Sequence, residues 1–180
     1  MSEFDVRIKN GEYIITHKKT GKRVYKVYKS NVAPELSKET KHLLFVAMEN
    51  KYGYIDKNGN VVVPLIYDDV SDFFGGVCIV KKEKKYGAYN LKGEQIIPPI
   101  YDEILFPFIE DKNDIPRLTY AVKDKKFLLL DIKGKNVTNE YYDYIFYNPD
   151  EKIFFVKKNG RYGVVDINGK KLVPIVFNDI

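Results

Sequence analysis

The sequence is poor in the residues that carry most side-chain chemistry. It has one cysteine, Cys78, two histidines, His17 and His42, and no tryptophan among 180 residues. A lone cysteine excludes an intramolecular disulfide, so nothing points to an oxidising compartment. Neither histidine stands at metal-ligand spacing from the other or from Cys78, and no metal or cofactor is expected. The four serines, Ser2, Ser30, Ser37 and Ser71, lie in no nucleophile-elbow context. No Gly-rich phosphate loop appears, and "FFGGV" at 73–77 reads as a turn. These absences leave no acid–base or nucleophilic constellation, and the chain is expected not to be an enzyme. Long apolar runs are missing too: no stretch approaches the ~20 residues of a membrane-spanning helix. The start, "MSEFDVRIKNGEY", lacks a basic region followed by an apolar one. A cytoplasmic protein without membrane contact is the expectation. Arginine is scarce as well, at 4 of 30 basic residues, which disfavours base reading by forked guanidinium groups.

What is present is aromatic and apolar. Fifteen Tyr and eleven Phe make up 14% of the chain, and hydrophobic residues reach 44%, enough to bury a core. Tyr suits half-buried sheet surfaces, where the ring packs and the hydroxyl reaches water. The net charge of +5 is unevenly placed. Residues 1–42 hold 10 Lys/Arg against 5 Asp/Glu, and residues 43–180 hold 20 against 20, so the excess is N-terminal.

One twenty-residue pattern recurs. An aromatic-Gly pair stands at Tyr52-Gly53, Tyr86-Gly87 and Tyr162-Gly163, with Phe127-Leu128 in the same frame. Seven residues after the aromatic comes a glycine: Gly59, Gly93, Gly134, Gly169. Five further on comes Pro64, Pro98 or Pro174, replaced by Asn139 in the third copy. Then follow an aromatic and an acid or amide: Tyr67-Asp68, Tyr101-Asp102, Tyr142-Asp143, Phe177-Asn178. The aliphatic Val70, Ile104, Ile145 or Ile180 closes the motif. "EYIITHKKTGKRVYKVY" reads as a worn N-terminal copy, with Tyr13 and Gly21 near the two anchors. The longest interval between anchors carries "EDKNDIP" (110–116), read as a loop insertion.

Each copy reads as β-structure. Asp56, Asn90, Asp131 and Asp166 precede a turn that a glycine closes three residues later, the chemistry of a three-residue hairpin loop. "LLFVAME", "GVCIVKK", "LTYAVKD" and "IFFVKKN" supply a preceding strand. Each repeat is therefore a three-stranded antiparallel meander. The segment after the proline returns the chain, extended, to the starting side. Helical periodicity is confined to "APELSKETKHLL" (33–44). The aromatic-Gly glycine is expected to mark close backbone approach or room for a neighbouring ring, an aromatic of one repeat packing over the glycine of the next, and the third copy, lacking Gly and Pro, to be the least regular. The fold class expected is all-β: about five such meanders in an open, curved array, with a small closed β-propeller as the alternative. The domains expected are a basic N-terminal repeat or cap (1–42) and four repeats (about 43–76, 77–117, 118–152 and 153–180) in one continuous array. A fragment of a longer repeat protein also fits.

These residues resemble the WG repeat family, whose unit reads as an aromatic (usually Trp), Gly, a turn Gly, Pro, and Tyr-Asp before an aliphatic. The resemblance runs over about residues 43–180, with Tyr or Phe in place of every Trp. It implies bacterial origin, β-hairpin arrays and interaction modules attached to other domains. It implies no catalytic residue.

Two surfaces remain candidates. The acids at 68–69, 102–103, 143 and 179 do not converge as calcium loops require, because neighbours on an extended segment point to opposite faces; they read as acceptors of backbone N–H bonds. Lysine-rich turns (Lys81, Lys82, Lys84, Lys85; Lys123, Lys125, Lys126; Lys157, Lys158, Arg161) form either a basic ridge or solvated hairpin tips. The most distinctive stretch is His17–Lys29. Its candidate partner-binding residues are Lys18, Lys19, Lys22, Arg23, Tyr25, Lys26, Tyr28 and Lys29. Arg23, Tyr25, Val27 and Lys29 would share one strand face. A non-catalytic scaffold binding a protein partner, as an accessory or inhibitory subunit, is the expected function. The alternative is nucleic-acid or ribonucleoprotein binding by this basic-aromatic strand. Oligomeric state is not legible.

Overall fold

The computed structural model describes residues 2–10, 12–24, 26–29, 43–74, 76–105 and 118–178. Among them every regular element is a β-strand, all sheets are antiparallel, and none closes on itself. Residues 33–42 of the helix candidate and the 110–116 insertion lie outside the described residues; Leu43 and Leu44 are strand. The chain divides into two compact units, Met1–Gln95 and Ile96–Ile180.

In the first unit, β1 (Phe4–Lys9) and β2 (Glu12–His17) form a hairpin. β3 (Lys26–Lys29), β4 (Leu43–Met48), β5 (Lys51–Asp56) and β6 (Val61–Tyr67) follow as one four-stranded sheet in that order. β7 (Asp69–Val70), β8 (Val77–Lys82) and β9 (Lys85–Asn90) are paired neighbours. β10 (Gln95–Tyr101) begins at the unit boundary. In the second unit, β11 (Glu103–Leu105), β12 (Leu118–Lys123) and β13 (Lys126–Asp131) form a sheet. β14 (Tyr144–Asn148), β15 (Ile153–Lys158), β16 (Arg161–Asp166) and β17 (Lys171–Phe177) form the last, four strands wide.

The three-stranded meander is thus extended by one strand. The return segment after Tyr-Asp is not a free connection. It pairs with the next repeat's first strand, as Asp69↔Lys81, Glu103↔Val122 and Tyr144↔Lys157. An extended segment carries unpaired N–H and C=O groups, and lying along the next sheet satisfies them. Each repeat motif therefore spans two sheets.

The predicted turns form. Asp56 Oδ1 accepts the N–H groups of Asn58 (2.8 Å) and Asn60 (2.9 Å), and Gly59 takes φ +83°. Asn90, Asp131 and Asp166 repeat the pair of bonds. The preceding hairpins turn through two residues at positive φ: Glu49-Asn50, Glu83-Lys84, Asp124-Lys125 and Asn159-Gly160. Phe74 and Val77 exchange both backbone bonds across the expected "FFGGV" turn.

Of the two readings of the strand glycine, close backbone approach is the one Gly53 shows. A β-carbon there would stand 2.3 Å from the Val63 carbonyl oxygen and 2.9 Å from that of Pro64, on the next strand of the same repeat. The cause is a bulge: Tyr52 pairs with Tyr67 and Tyr54 with Val63, so β6 spends four residues where β5 spends two. Proline, which has no N–H to pair, is tolerated in the bulge. Gly163 lies similarly against Val173 and Ile175. The close approach between repeats belongs instead to the turn glycine. A β-carbon at Gly59 would stand 2.1 Å from the Phe4 carbonyl oxygen. Gly93 meets the Val62 carbonyl oxygen and Gly134 that of Ile96 in the same way, whereas Gly169 meets the Val137 side chain, each in the preceding repeat.

The third repeat is the least regular, as its sequence implies. Leu128, buried at the glycine position, fills the space the bulge needs. After β13 only isolated bridges remain, Leu130↔Asn136 and Phe127↔Tyr142. Between them Asn139 takes φ +54°, which proline cannot adopt. Side chains close the gap: Asn136 Nδ2 donates to the Glu140 carbonyl (3.1 Å), and Asn136 Oδ1 accepts the Thr138 N–H (3.3 Å).

Candidate interaction surfaces

The N-terminal basic stretch is only partly a free surface. His17 stands where the other repeats have Asp or Asn, and its Nδ1 takes the N–H of Thr20 (3.3 Å) and lies 2.9 Å from the Thr20 hydroxyl. Lys18, Lys19 and Lys22 are exposed on this turn, followed by exposed Arg23. Lys18 Nζ donates to Ser2 Oγ, and Lys22 pairs with Glu49, whose carboxyl it holds below its ordinary value. Tyr25 lies outside the described residues. Lys26, Tyr28 and Lys29 lie on β3, opposite Ala47, Phe45 and Leu44 of β4. The candidates therefore fall on two elements, a turn and the edge strand of the following sheet.

The recurrent acids are joints between consecutive repeats. Asp68 Oδ2 accepts the Glu83 N–H at the tip of the next hairpin (2.7 Å), and Oδ1 takes Lys51 Nζ (2.5 Å). Asp143 does the same with Asn159 (2.7 Å) and Lys126, and Asp102 with Asp124 (2.8 Å). The lysine partner first, then the backbone N–H, holds the Asp68 and Asp143 carboxyls below their ordinary value. Among the described residues no three His, Cys, Asp or Glu side chains gather into a metal-holding group.

The lysine turns are also engaged. Lys51 and Lys126 serve those aspartates. Lys158 and Lys171 both pair with Glu140, in a recess also lined by Arg161. The ammonium groups of Lys81 and Lys157 lie 5.1 and 4.8 Å from the ring centres of Tyr86 and Tyr162. Cys78 is buried, and burial pushes its thiol up, away from thiolate chemistry.

Within each unit sheets bury their faces against one another. Leu43, Tyr54, Val63 and Tyr67 pack on Val70, Cys78, Val80 and Tyr89. Leu129 packs with Ile145, Phe154, Val156 and Val165. The Tyr67 hydroxyl bonds that of Tyr89 (2.8 Å) across such a joint. Its counterpart Tyr142 is fully buried and has no hydroxyl partner among the described residues. Val165 stands where Tyr89 stands two joints earlier.

The surface that sequence reading missed is the other face of the last sheet. Ile145 turns inward, so Tyr144 and Phe146 turn outward, each 51% exposed. Across the strands they align with Lys157, Tyr162 and Phe177, and with Phe155, Val164 and Val173. Phe177, in register with buried Tyr67 and Tyr142, is 48% exposed. The signal was present in "YYDYIFYN", whose alternating aromatics exceed those of the other return segments.

Residues 52–86 and 86–126 match the WG containing repeat. Over residues 52–126 the chain is similar to the WG containing repeat. No curated protein matches it. Among solved structures, it is similar to Kluyveromyces lactis Hsv2p at 10% identity and a TM-score of 0.38, over 92% of this chain and 59% of that one. A eukaryotic initiation factor is similar at 12% identity and a TM-score of 0.40, over 99% of this chain and 55% of that one. A structure titled for the de novo evolutionary emergence of a symmetrical protein is similar at 11% and 0.28, over 80% and 68%. The chain thus spans little more than half the length of Hsv2p and the initiation factor. Among its described residues no helix is long and apolar enough to cross a membrane.

Proposed function

We propose that this chain is a non-catalytic scaffold that binds a protein partner, as an accessory or inhibitory subunit of a larger assembly. The carrying observation is the outward face of the last sheet. Tyr144, Phe146 and Phe177 are about half exposed there, whereas the corresponding face of the β3–β6 sheet is covered by the sheet after it. Aromatic side chains of this kind dominate the cores of protein interfaces. The repeat-specific polar groups support the same reading, because they are spent on turns and joints rather than gathered in a pocket. A cytoplasmic site of action belongs to the proposal and is supported by the single, buried thiol of Cys78.

The test is affinity capture from the native host with nuclease present, comparing the wild type with Phe146→Glu. The reading expects a partner retained in 0.5 M salt and lost on the substitution. Nucleic-acid binding is the second reading, favoured by the exposed Lys18, Lys19 and Arg23 on and beside one turn. It expects capture that nuclease or moderate salt abolishes, because phosphate contacts are salt-sensitive. Capture that neither treatment nor Phe146→Glu alters would contradict both.

A further inference from the structure

We infer that the recess around Glu140 and Arg161 is a binding site for a carboxylate. It is about 500 Å³ in volume and lies within the second unit. Lys158, Asn159 and Arg161 come from the β15–β16 hairpin, Lys171 and Ile175 from β17, and Glu140 from the third repeat. The motif's own polar groups serve turns and joints, and these residues are not among them. Leu65, Pro99 and Ile175 stand at the place of Glu140 in the other copies, and Val61, Gln95 and Asn136 at that of Lys171. No other joint of the chain carries this pair.

The charges in the recess do not balance. Lys158 Nζ donates to Glu140 Oε2 at 3.2 Å, and Lys171 Nζ donates to Glu140 Oε1. One carboxylate thus stands among two ammonium groups and the guanidinium of Arg161. The nearby Asp143 is already engaged by Lys126 and the Asn159 N–H. Arg161 has no ion-pair or hydrogen-bond partner among the described residues. Two earlier repeats show what a cation at this place takes: Lys51 bonds Asp68, and Lys126 bonds Asp143. In the last repeat Arg161 replaces the lysine and Asn178 the aspartate. An amide carries no charge, so the guanidinium lacks the carboxylate that its counterparts have. Its planar fork fits the two oxygens of a carboxylate, and Ile175 offers an apolar wall for the attached methylene groups. The ligand is a free polycarboxylate or the Asp and Glu side chains of an acidic peptide; either supplies the missing group. The site holds or fails independently of the aromatic face of Tyr144 and Phe146.

NMR titration of the nitrogen-15-labelled full chain at low salt tests this, with citrate, a hexaglutamate peptide and inorganic phosphate as separate probes. The expected result is saturable shifts of the Arg161 Nε–H and of the Asn159 and Lys171 backbone N–H signals. Arg161→Ala weakens the binding about fivefold, in the range of a partly exposed ion pair. Asn178→Asp weakens it as well, because it returns the internal carboxylate. Glu140→Gln tightens it about threefold, because it removes the competing charge. Lys19→Ala, on the N-terminal turn, leaves it unchanged. Saturation by citrate assigns a free polycarboxylate, and saturation by hexaglutamate alone an acidic peptide. Tighter binding of phosphate than of either carboxylate overturns the assignment. So do shifts centred on His17–Lys29, the absence of saturable shifts at Arg161, or an affinity that Arg161→Ala and Asn178→Asp both leave as it was.

Discussion

In the first regular repeat Gly53 lies beneath the carbonyls of Val63 and Pro64; in the third, Leu128 stands at that position and Asn139 replaces the proline. The first builds a continuous strand, β6, with a bulge over the glycine. The third keeps only two bridges and closes the interval with the side chains of Asn136 and Thr138. Yet both deliver the same product: a buried tyrosine, Tyr67 or Tyr142, followed by an aspartate that binds the tip of the next hairpin. The comparison separates two tasks that the motif merges. Strand Gly and Pro shape the path within a repeat. Turn Gly, Tyr and Asp fasten one repeat to the next. A repeat can lose the first pair and keep its joints.

The largest effect should come from attacking a joint that all the copies share. Gly59→Val meets both a positive φ and the Phe4 carbonyl at 2.1 Å. We expect a loss of about 3 kcal/mol or more in urea unfolding, since strain and overpacking each cost roughly 1–3 kcal/mol. Gly160 is also at positive φ, but a β-carbon there would meet nothing within 4 Å. Gly160→Asn, a residue that tolerates this conformation, should stay within about 0.5 kcal/mol. Equal losses at the two sites would break the distinction between joint and tip.

The tyrosines sharpen it at intermediate size. Tyr67→Phe removes the bond to Tyr89 and leaves a buried hydroxyl without its partner, costing about 1 kcal/mol. Tyr142→Phe removes a hydroxyl that has no partner among the described residues, and its melting temperature should not fall. A loss at Tyr142 matching that at Tyr67 would contradict the assignment.

The smallest effect is electrostatic. Lys51 and the Glu83 N–H depress the Asp68 carboxyl from its ordinary 3.8, and Lys126 and the Asn159 N–H do so for Asp143. A depressed carboxyl binds fewer protons folded than unfolded near and below that value. Its stabilisation is therefore complete above about pH 4–5 and is lost as pH falls through the lower, folded value. The urea midpoint should drop between pH 5 and pH 3. The double variant Asp68→Asn, Asp143→Asn should start lower and drop less. Asparagine already stands at this place in the last repeat, as Asn178.

What could be read from the sequence divides along the same line. The Asp-to-Gly turns were legible because donor and acceptor lie within four residues, as Asp56 and Asn60 do. The irregular third repeat was legible because Leu128 and Asn139 break a spacing rule. Close backbone approach at Gly53 was legible as one of two readings, but which carbonyls crowd it was not, since they are set by a shift in strand register, which a residue pattern does not encode. Nor was the fate of the return segment, whose pairing as β7, β11 and β14 is decided by the next repeat. The N-terminal charge was visible, but the ion pair of Lys22 with Glu49, 27 residues away, was not. The aromatic alternation around Tyr144 and Phe146 was written in the chain, but whether a sheet face is covered depends on packing.

The most direct test of the bulge account is the sign of one substitution. Gly53 is not among the residues at positive φ, so its backbone would admit any side chain that had room. With room, Gly53→Ala stabilises by about 0.4–1 kcal/mol, because it restricts the unfolded chain. With the Val63 carbonyl oxygen 2.3 Å from the new β-carbon, the bulge account predicts a loss of about 1–3 kcal/mol in urea unfolding instead. A Gly53→Ala protein as stable as the wild type, or more so, would contradict it.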